Sequence, residues 1–379
     1  MSNQKNPLLE IQKYGQSIWL DTISRKLIVS GQLQDLIDKD GLRGVTSNPS
    51  IFEKAIDGSQ DYDQEINELL EEGKDVPAVY TELTVRDIQQ ATDRFRPLFD
   101  QSSGKHGFVS LEVSPHLAHE TQATIEEARR LWGLVDRPNV MIKVPATQEG
   151  LPAIQQLIGE GINVNITLLF GLPRYRKVAE AFIAGLEKRV EEGKPVDHLA
   201  SVASFFLSRI DVLVDPMLEK IMQAGGPKAD LAKKLHGQVA IASAKLAYQI
   251  FTKTFSNERF NKLGRQGARP QRVLWASTST KNPNYSDVKY VEALIGPETV
   301  NTIPLETLEA YRDHGDPAPR LEENLDEARQ VMESLPDLGI DIDQVTQQLE
   351  DEGVEKFNKP YDKLMGTLTR KCEKIRGAA

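Results

Sequence analysis

The sequence predicts an α/β fold, a parallel (β/α)8 or TIM barrel with additional helices at its N-terminal and C-terminal ends. Three observations lead to this prediction. Short strand-like runs alternate with long helical patterns, and there are eight such runs. In two of the runs a polar residue occupies every second position. Strands that alternate with helices are typical of a parallel sheet covered by helices, and eight of them can close into a barrel.

The eight predicted strands are short and mainly apolar, as the strands of a buried parallel sheet are. The stretches between them carry helical signals. In residues 124–132 apolar side chains recur at the spacing of one helix face, and Pro173 suits the first turn of the next helix. In chain order, the strands are predicted at residues 17–23, 44–48, 107–113, 140–145, 162–168, 201–206, 272–277 and 300–304.

We expect one barrel domain over residues 1–379, with two additions. Residues 256–271 are polar and follow a long amphipathic pattern, so we predict an insertion loop before the seventh strand. Residues 321–379 have a helical pattern that is first acidic and then basic. We predict that they form a C-terminal helical extension packed on the barrel.

Composition narrows the classes of function. The chain has 46 basic and 56 acidic residues and a net charge of -10, which disfavours a nucleic acid or an anionic membrane as partner. Its one cysteine, Cys372, cannot form a disulfide framework or a cysteine metal site within one chain. Residues 1–7 lack the apolar core of a signal peptide, and no run approaches the length of a membrane span. We therefore expect a cytoplasmic protein, and the sequence is compatible with both a monomer and a homodimer.

Lys143 lies inside the apolar run 140–146, the kind of sequence that forms a buried strand. Two interpretations fit this position. A buried lysine tends to lose its charge, and a neutral amine is a nucleophile that forms a Schiff base with a carbonyl substrate. A lysine near a strand end also lays its methylenes on apolar surface and places its amine in solvent.

Polar residues mark one face of two predicted strands. The third strand alternates Ser110, Glu112 and Ser114 with apolar residues, and the fifth alternates Asn163, Asn165 and Thr167. Both faces of a barrel strand are buried, so a polar face predicts hydrogen-bonding groups in the barrel interior. Such groups collect at the C-terminal strand ends, where the active sites of these barrels lie.

Three more polar residues end predicted strands: Asp21 the first, Asn48 the second and Ser277 the seventh. Asp21 and Asn48 also have plainer interpretations. Asp21 is suited to capping the following turn, and Asn48 before Pro49 is suited to forming one. Glu112 is harder to explain structurally, because a buried carboxylate must find partners or raise its pKa.

Three segments together resemble a known family. GVTSNPSIF at 44–52, VMIKVPAT at 140–147 and NVNITLLF at 163–170 resemble the signature segments of transaldolases, in this order. The resemblance spans nearly the whole chain, and the length of the chain is similar to that of the longer bacterial members. It implies a class I aldolase-type barrel that needs neither metal nor organic cofactor.

The implied reaction belongs to the non-oxidative pentose phosphate pathway. A dihydroxyacetone unit moves from sedoheptulose 7-phosphate or fructose 6-phosphate to glyceraldehyde 3-phosphate or erythrose 4-phosphate. By matching motif, Lys143 forms the imine, Glu112 moves protons through a water held with Thr167, and Asp21 takes the proton of the C4 hydroxyl. Asn48 and Asn165 hold the dihydroxyacetone hydroxyls.

The resemblance also implies a phosphate site. Ser204 and Arg209 match the family's serine and arginine five residues apart, and Ser277 is the serine of the seventh strand. Shorter family members have a second arginine where this chain has Ser279. We predict that Lys281, two residues further on, supplies the second cation.

Three other functions remain open at this point. A fructose-6-phosphate aldolase uses the same lysine chemistry but releases dihydroxyacetone. A glycosidase uses a carboxylate pair, here Asp21 and Glu112, and leaves Lys143 without a role. A non-catalytic scaffold uses the acidic helices of residues 322–376 for binding and does not need Lys143.

Overall fold

Residues 6–57 and 59–378 are described in the computed structural model, and they contain eight parallel strands that close into one barrel. Each strand pairs with its neighbours in chain order. The first and last strands close the barrel, with Gln16 opposite Thr299 and Leu20 opposite Ile303. The predicted (β/α)8 barrel is therefore confirmed. The strands are β1 (Gln16–Leu20), β2 (Gly44–Val45), β3 (Phe108–Glu112), β4 (Val140–Pro145), β5 (Val164–Leu169), β6 (Ser201–Phe206), β7 (Arg272–Ala276) and β8 (Thr299–Ile303).

Helices connect the strands and cover the outside of the barrel. Short 3₁₀ helices cover Gln12–Tyr14, Pro115–Leu117 and Pro336–Leu338. Within the described residues, no helix has both the length and the apolar character needed to cross a membrane. The α-helices are α1 (Pro7–Ile11), α2 (Arg25–Val29), α3 (Gln32–Asp40), α4 (Pro49–Asp57), α5 (Asp63–Glu71), α6 (Val76–Gln101), α7 (Thr121–Val135), α8 (Gly150–Glu160), α9 (Leu172–Glu191), α10 (Ser208–Ala224), α11 (Pro227–Leu235), α12 (Val239–Phe255), α13 (Glu258–Gly264), α14 (Lys289–Ala293), α15 (Leu305–His314), α16 (Leu325–Ser334) and α17 (Ile342–Ala378).

The first two strands end earlier than the sequence predicts. Their last predicted residues leave the sheet because the next helix begins close by. After β1, the Ser24 side chain accepts a hydrogen bond from the Leu27 amide and caps α2. After β2, Asn48 does the same for the Ile51 amide at the start of α4. The residues between strand end and helix start, which include Asp21, therefore lie at the barrel mouth.

The segment 256–271, predicted as an insertion loop, contains the short helix α13. Asn257 caps this helix by accepting a hydrogen bond from the Phe260 amide. Two apolar side chains, Phe260 and Leu263, are buried on the inner face of this helix. The helix was not predicted because the segment as a whole is polar.

The C-terminal helix α17 packs across the C-terminal ends of the strands. Glu350 forms an ion pair with Arg174 of α9 at 3.0 Å, and both side chains are mostly buried. At Gly353 the helix comes so close that an added Cβ would lie 3.0 Å from Leu168 of β5. Leu168 itself has a φ of 56°, where the pairing of β5 with β6 shifts register. The end of β5 is therefore an irregular strand end covered by α17.

Candidate active site

A cavity of about 360 Å³ opens at the C-terminal ends of the strands. Eight of the ten residues predicted from the sequence line it, and the other two, Glu112 and Asn165, contact residues that do. The structure therefore brings the predicted set together around one space. The eight are Asp21, Asn48, Lys143, Thr167, Ser204, Arg209, Ser277 and Lys281.

Lys143 is buried in the barrel interior, with 4% of its surface exposed. The strand pairing places it beside Glu112 of β3 and Asn165 of β5. Its Nζ donates a hydrogen bond to the Ser47 carbonyl at 2.9 Å and lies 3.2 Å from Oε2 of Glu112. The second contact is an ion pair without the alignment of a hydrogen bond. The interpretation that Lys143 places its amine in solvent is therefore wrong.

Glu112 is a buried carboxylate whose oxygens have no hydrogen-bond partner among the described residues. Burial raises the pKa of Glu112, the Lys143 ammonium opposes this rise, and the Asp21 carboxylate adds to it. The hydroxyl of Thr167 is also buried without a partner in the part of the chain that is described. Buried polar atoms of this kind are usually satisfied by ordered water or by a ligand.

Asp21 lies at the barrel mouth directly after β1. Its Oδ1 accepts a hydrogen bond from Thr46 Oγ1 at 2.8 Å, and that hydroxyl lies 2.7 Å from Oγ1 of Thr302. Although Asp21 borders the cavity, the surrounding protein raises its pKa by burial, and Lys143 opposes this rise. The following helix is capped by Ser24, so the plainer interpretation of Asp21 as a turn cap is wrong.

Asn165 lies below the cavity surface and supports a residue that lines it. Its Nδ2 donates to Ser110 Oγ at 2.9 Å, and its Oδ1 accepts from Ser204 Oγ at 2.7 Å. Asn165 is fully buried. It therefore fixes the Ser204 side chain at the cavity, and its direct contact with a substrate stays a prediction.

Asn48 has both of the roles considered from the sequence. Its Oδ1 accepts the Ile51 amide at the start of α4, as expected of a turn former, and its side chain lines the cavity. Capping holds the amide group in place. The Nδ2 group makes no hydrogen bond to the described residues, so it is free to donate to a bound molecule.

Cationic side chains surround one end of the cavity. Arg209 lies in the first turn of α10, and its Nη1 is buried without a partner among the described residues. Its guanidinium packs 5.7 Å from the ring centroid of Phe206. Lys281 donates to Ser279 Oγ at 2.6 Å. Burial lowers the pKa of both cations. An anion placed between them would relieve this cost.

Ser277 connects the seventh strand with α10. Its Oγ lies 2.9 Å from Ser208 Oγ, and its carbonyl accepts the Ser208 amide at 3.0 Å. The φ of Ser277 is 54°, an uncommon value for a residue other than glycine. The turn therefore holds the loop of residues 277–281 against the start of α10, next to Arg209.

The sequence analysis did not predict thirteen of the 21 residues that line the cavity, and five of these thirteen show why. Two of them follow strands: Lys54 lies on α4, and Glu306 lies in the first turn of α15. Both residues lie in the helix after a strand, beyond the strand ends from which most of the site residues were predicted. The other three lie on α17, far along the chain from the last strand, and no local pattern marks them. They are Lys356, Phe357 and Pro360.

Comparison with known proteins shows similarity to the same family along nearly the whole chain. The family model described as transaldolase/fructose-6-phosphate aldolase matches residues 18–368. The chain is 48% identical over 374 residues to a protein named transaldolase from Trichodesmium erythraeum, covering 98% of each chain. It is 49% identical over 373 residues to transaldolase 2 from Nostoc sp. strain PCC 7120, covering 97% of this chain and 98% of the relative.

The position of Lys143 gives a prediction for the buried carboxyl groups. Since its ammonium lowers the pKa of both Asp21 and Glu112, Lys143→Met should raise both pKa values further. Infrared difference spectra of the protonated carboxyl band across pH measure this, with Asp21→Asn and Glu112→Gln to assign the bands.

The matched control is Lys356→Met, which removes a cavity lysine that does not act on either carboxyl group. It should leave both titrations unchanged. Identical titrations for Lys143→Met and the unsubstituted protein would show that Lys143 does not control these carboxyl groups.

Proposed function

The chain belongs to the transaldolase/fructose-6-phosphate aldolase family, and we propose that it transfers a dihydroxyacetone unit between sugar phosphates through a Schiff base on Lys143. The donor is sedoheptulose 7-phosphate or fructose 6-phosphate, and the acceptor is glyceraldehyde 3-phosphate or erythrose 4-phosphate. The observation that carries this proposal is the position of Lys143 at the floor of the cavity. There its buried amine lies 3.2 Å from the buried carboxylate of Glu112 on the adjacent strand β3.

The first step is imine formation. Lys143 Nζ loses a proton and attacks the ketose carbonyl, and the carbinolamine then loses water to give the imine. Glu112 is the nearest carboxylate to Nζ. Its raised pKa suits a group that must both accept and give a proton near neutral pH. A water between Glu112 and Thr167 would satisfy their unpaired oxygens and carry the proton.

The second step breaks a carbon–carbon bond. Asp21 accepts the proton of the C4 hydroxyl, the C3–C4 electron pair moves into the imine, and an aldose leaves with an enamine still bound to Lys143. Burial raises the pKa of Asp21, which makes its carboxylate a stronger base. Addition of the enamine to the acceptor aldose reverses these movements, and hydrolysis then frees the new ketose.

Transfer requires that the enamine meets an aldose before it meets a proton. Phe357 and Pro360 of α17 line the cavity above Lys143, with the Phe357 ring centroid 5.8 Å from Nζ. Apolar side chains at this place exclude water from the bound enamine. This arrangement favours transfer over the release of dihydroxyacetone.

The other functions considered from the sequence have less support. The curated relatives are enzymes, so a non-catalytic scaffold is disfavoured. A glycosidase that used Asp21 and Glu112 would leave without a role the cavity lysine that lies 3.2 Å from Glu112. Aldol cleavage of fructose 6-phosphate is retained as the alternative, since the family description includes it. A cytoplasmic location stays a prediction from the sequence.

An acceptor-dependence assay separates transfer from cleavage. With fructose 6-phosphate alone, free dihydroxyacetone should form slowly, and erythrose 4-phosphate should give rapid formation of sedoheptulose 7-phosphate. Glu112→Gln should lower turnover by about 10²- to 10⁴-fold, because it removes the proton-carrying group.

The matched control for this variant is Glu126→Gln, the same change on an exposed position of α7, which should keep full turnover. Rapid release of dihydroxyacetone without any acceptor would contradict the transfer function and support the aldolase alternative.

Arg209 gives a prediction about phosphate recognition. Loss of its charge-assisted hydrogen bonds in Arg209→Ala should raise the KM for fructose 6-phosphate by about tenfold or more. The KM for free dihydroxyacetone as donor should change little, because that donor has no phosphate. Steady-state kinetics with both donors measure the difference.

Arg176→Ala, which removes an exposed arginine of α9, serves as the control for loss of one positive charge. Equal effects of Arg209→Ala on both donors would remove Arg209 from the phosphate site.

A further inference from the structure

A second cavity, of about 310 Å³, lies at the opposite end of the barrel from the candidate active site. Its walls come from the turn before β3 and from the N-terminal ends of β3, β6 and β7. Phe108, Met141 and Val202 form an apolar part. The charged part consists of Lys105, Arg269, Arg272 and Glu298.

Arg272 is the central feature of this second cavity. It is the first residue of β7, and Ala276 on the same face of that strand lines the candidate active site, so Arg272 points into the barrel interior. It is 7% exposed. Its guanidinium donates only to neutral oxygens, Ser17 Oγ at 3.1 Å and the Lys105 carbonyl at 3.0 Å. These bonds leave other N–H donors of the group available.

The surrounding charges compensate Arg272 only in part. Arg269 also donates to a neutral oxygen, the Ser103 carbonyl at 2.7 Å. Neither arginine has a carboxylate within 4 Å among the described residues, because the one carboxylate of the cavity, Glu298, pairs with Lys105 at 2.7 Å. The cavity therefore holds three cations and one anion, in a chain whose net charge is -10.

The neighbouring titratable group, His106, carries no charge near pH 7. Burial lowers the pKa of His106 to about 3, and Arg272, Arg43 and Lys105 lower it further. The imidazole is therefore neutral near pH 7. Burial also lowers the pKa of Arg272 to about 10, with Glu298 opposing and Arg269 adding to the effect. The protein itself therefore offsets only part of the cost of burying this guanidinium.

We propose that this second cavity binds a phosphate group, either inorganic phosphate or the phosphate of a small phosphomonoester. Two guanidinium groups with free donors match the oxygens of a phosphate, and the anion supplies the missing countercharge. The apolar wall leaves room for a short carbon body beside the phosphate. This site lies apart from Arg209 and does not depend on the proposed transfer reaction.

Calorimetric titration with inorganic phosphate tests the proposal in Arg209→Ala, a background in which the candidate active site has lost its main phosphate ligand. One equivalent of phosphate should still bind. Adding Arg269→Gln should raise the Kd by about tenfold or more, because a charge-assisted pair is lost. Arg265→Gln, which removes an exposed arginine outside the cavity, should leave the Kd unchanged.

Three further measurements complete the test. Arg269→Gln alone should keep the turnover of the unsubstituted enzyme. Phosphate should raise the Tm of Arg209→Ala but not of Arg209→Ala with Arg272→Met, since a ligand of the folded state stabilises it by mass action. Titration with glycerol 3-phosphate in the same background shows which form binds more tightly. Loss of all phosphate binding in Arg209→Ala, or an unchanged Kd after Arg269→Gln, would overturn the proposal.

Discussion

The contact between Lys143 and Glu112 is the constraint on which the rest of the site depends. Both side chains are buried in the barrel, on adjacent strands and 3.2 Å apart. Neither charge is stable there alone, and removing one partner of such a pair typically costs about 3–5 kcal/mol. The Ser47 carbonyl accepts a hydrogen bond from the amine, and the hydrogen-bonded pair of Asn165 and Ser204 lies on the next two strands. The barrel thus holds a buried amine beside a buried carboxylate, the pair that the proposed mechanism needs.

Elements outside the barrel complete this site. Arg209 and Ser277 meet at the start of α10, and a buried cluster holds the loop that follows Ser277. In that cluster Tyr285 donates to Asp215 at 2.6 Å and Tyr290 donates to Asp211 at 2.8 Å. Helix α17 covers the opposite side and is tied to the barrel by the ion pair of Arg174 with Glu350. Strands build the polar floor of the cavity, and helices and loops build its walls.

Much of this arrangement follows from the sequence, because strand periodicity is local. The parity of β3 and β5 places Glu112 and Asn165 on the interior face, and the structure has them there. What the sequence did not reveal depends on contacts between distant segments. Phe357 reaches the cavity only because α17 folds back over β5, and Asn165 turned out to support Ser204 from below. The early end of β2 follows from helix capping by Asn48, which competes with continued strand pairing.

The central claim is that Lys143 forms the Schiff base. Reduction with borohydride in the presence of fructose 6-phosphate, followed by peptide mapping, tests it most directly. The expected result is one reduced sugar adduct on the peptide that contains Lys143, and none in Lys143→Met. The cavity contains three other lysines, Lys54, Lys281 and Lys356, which serve as internal controls. An adduct on one of these instead, or no adduct at all, would contradict the account.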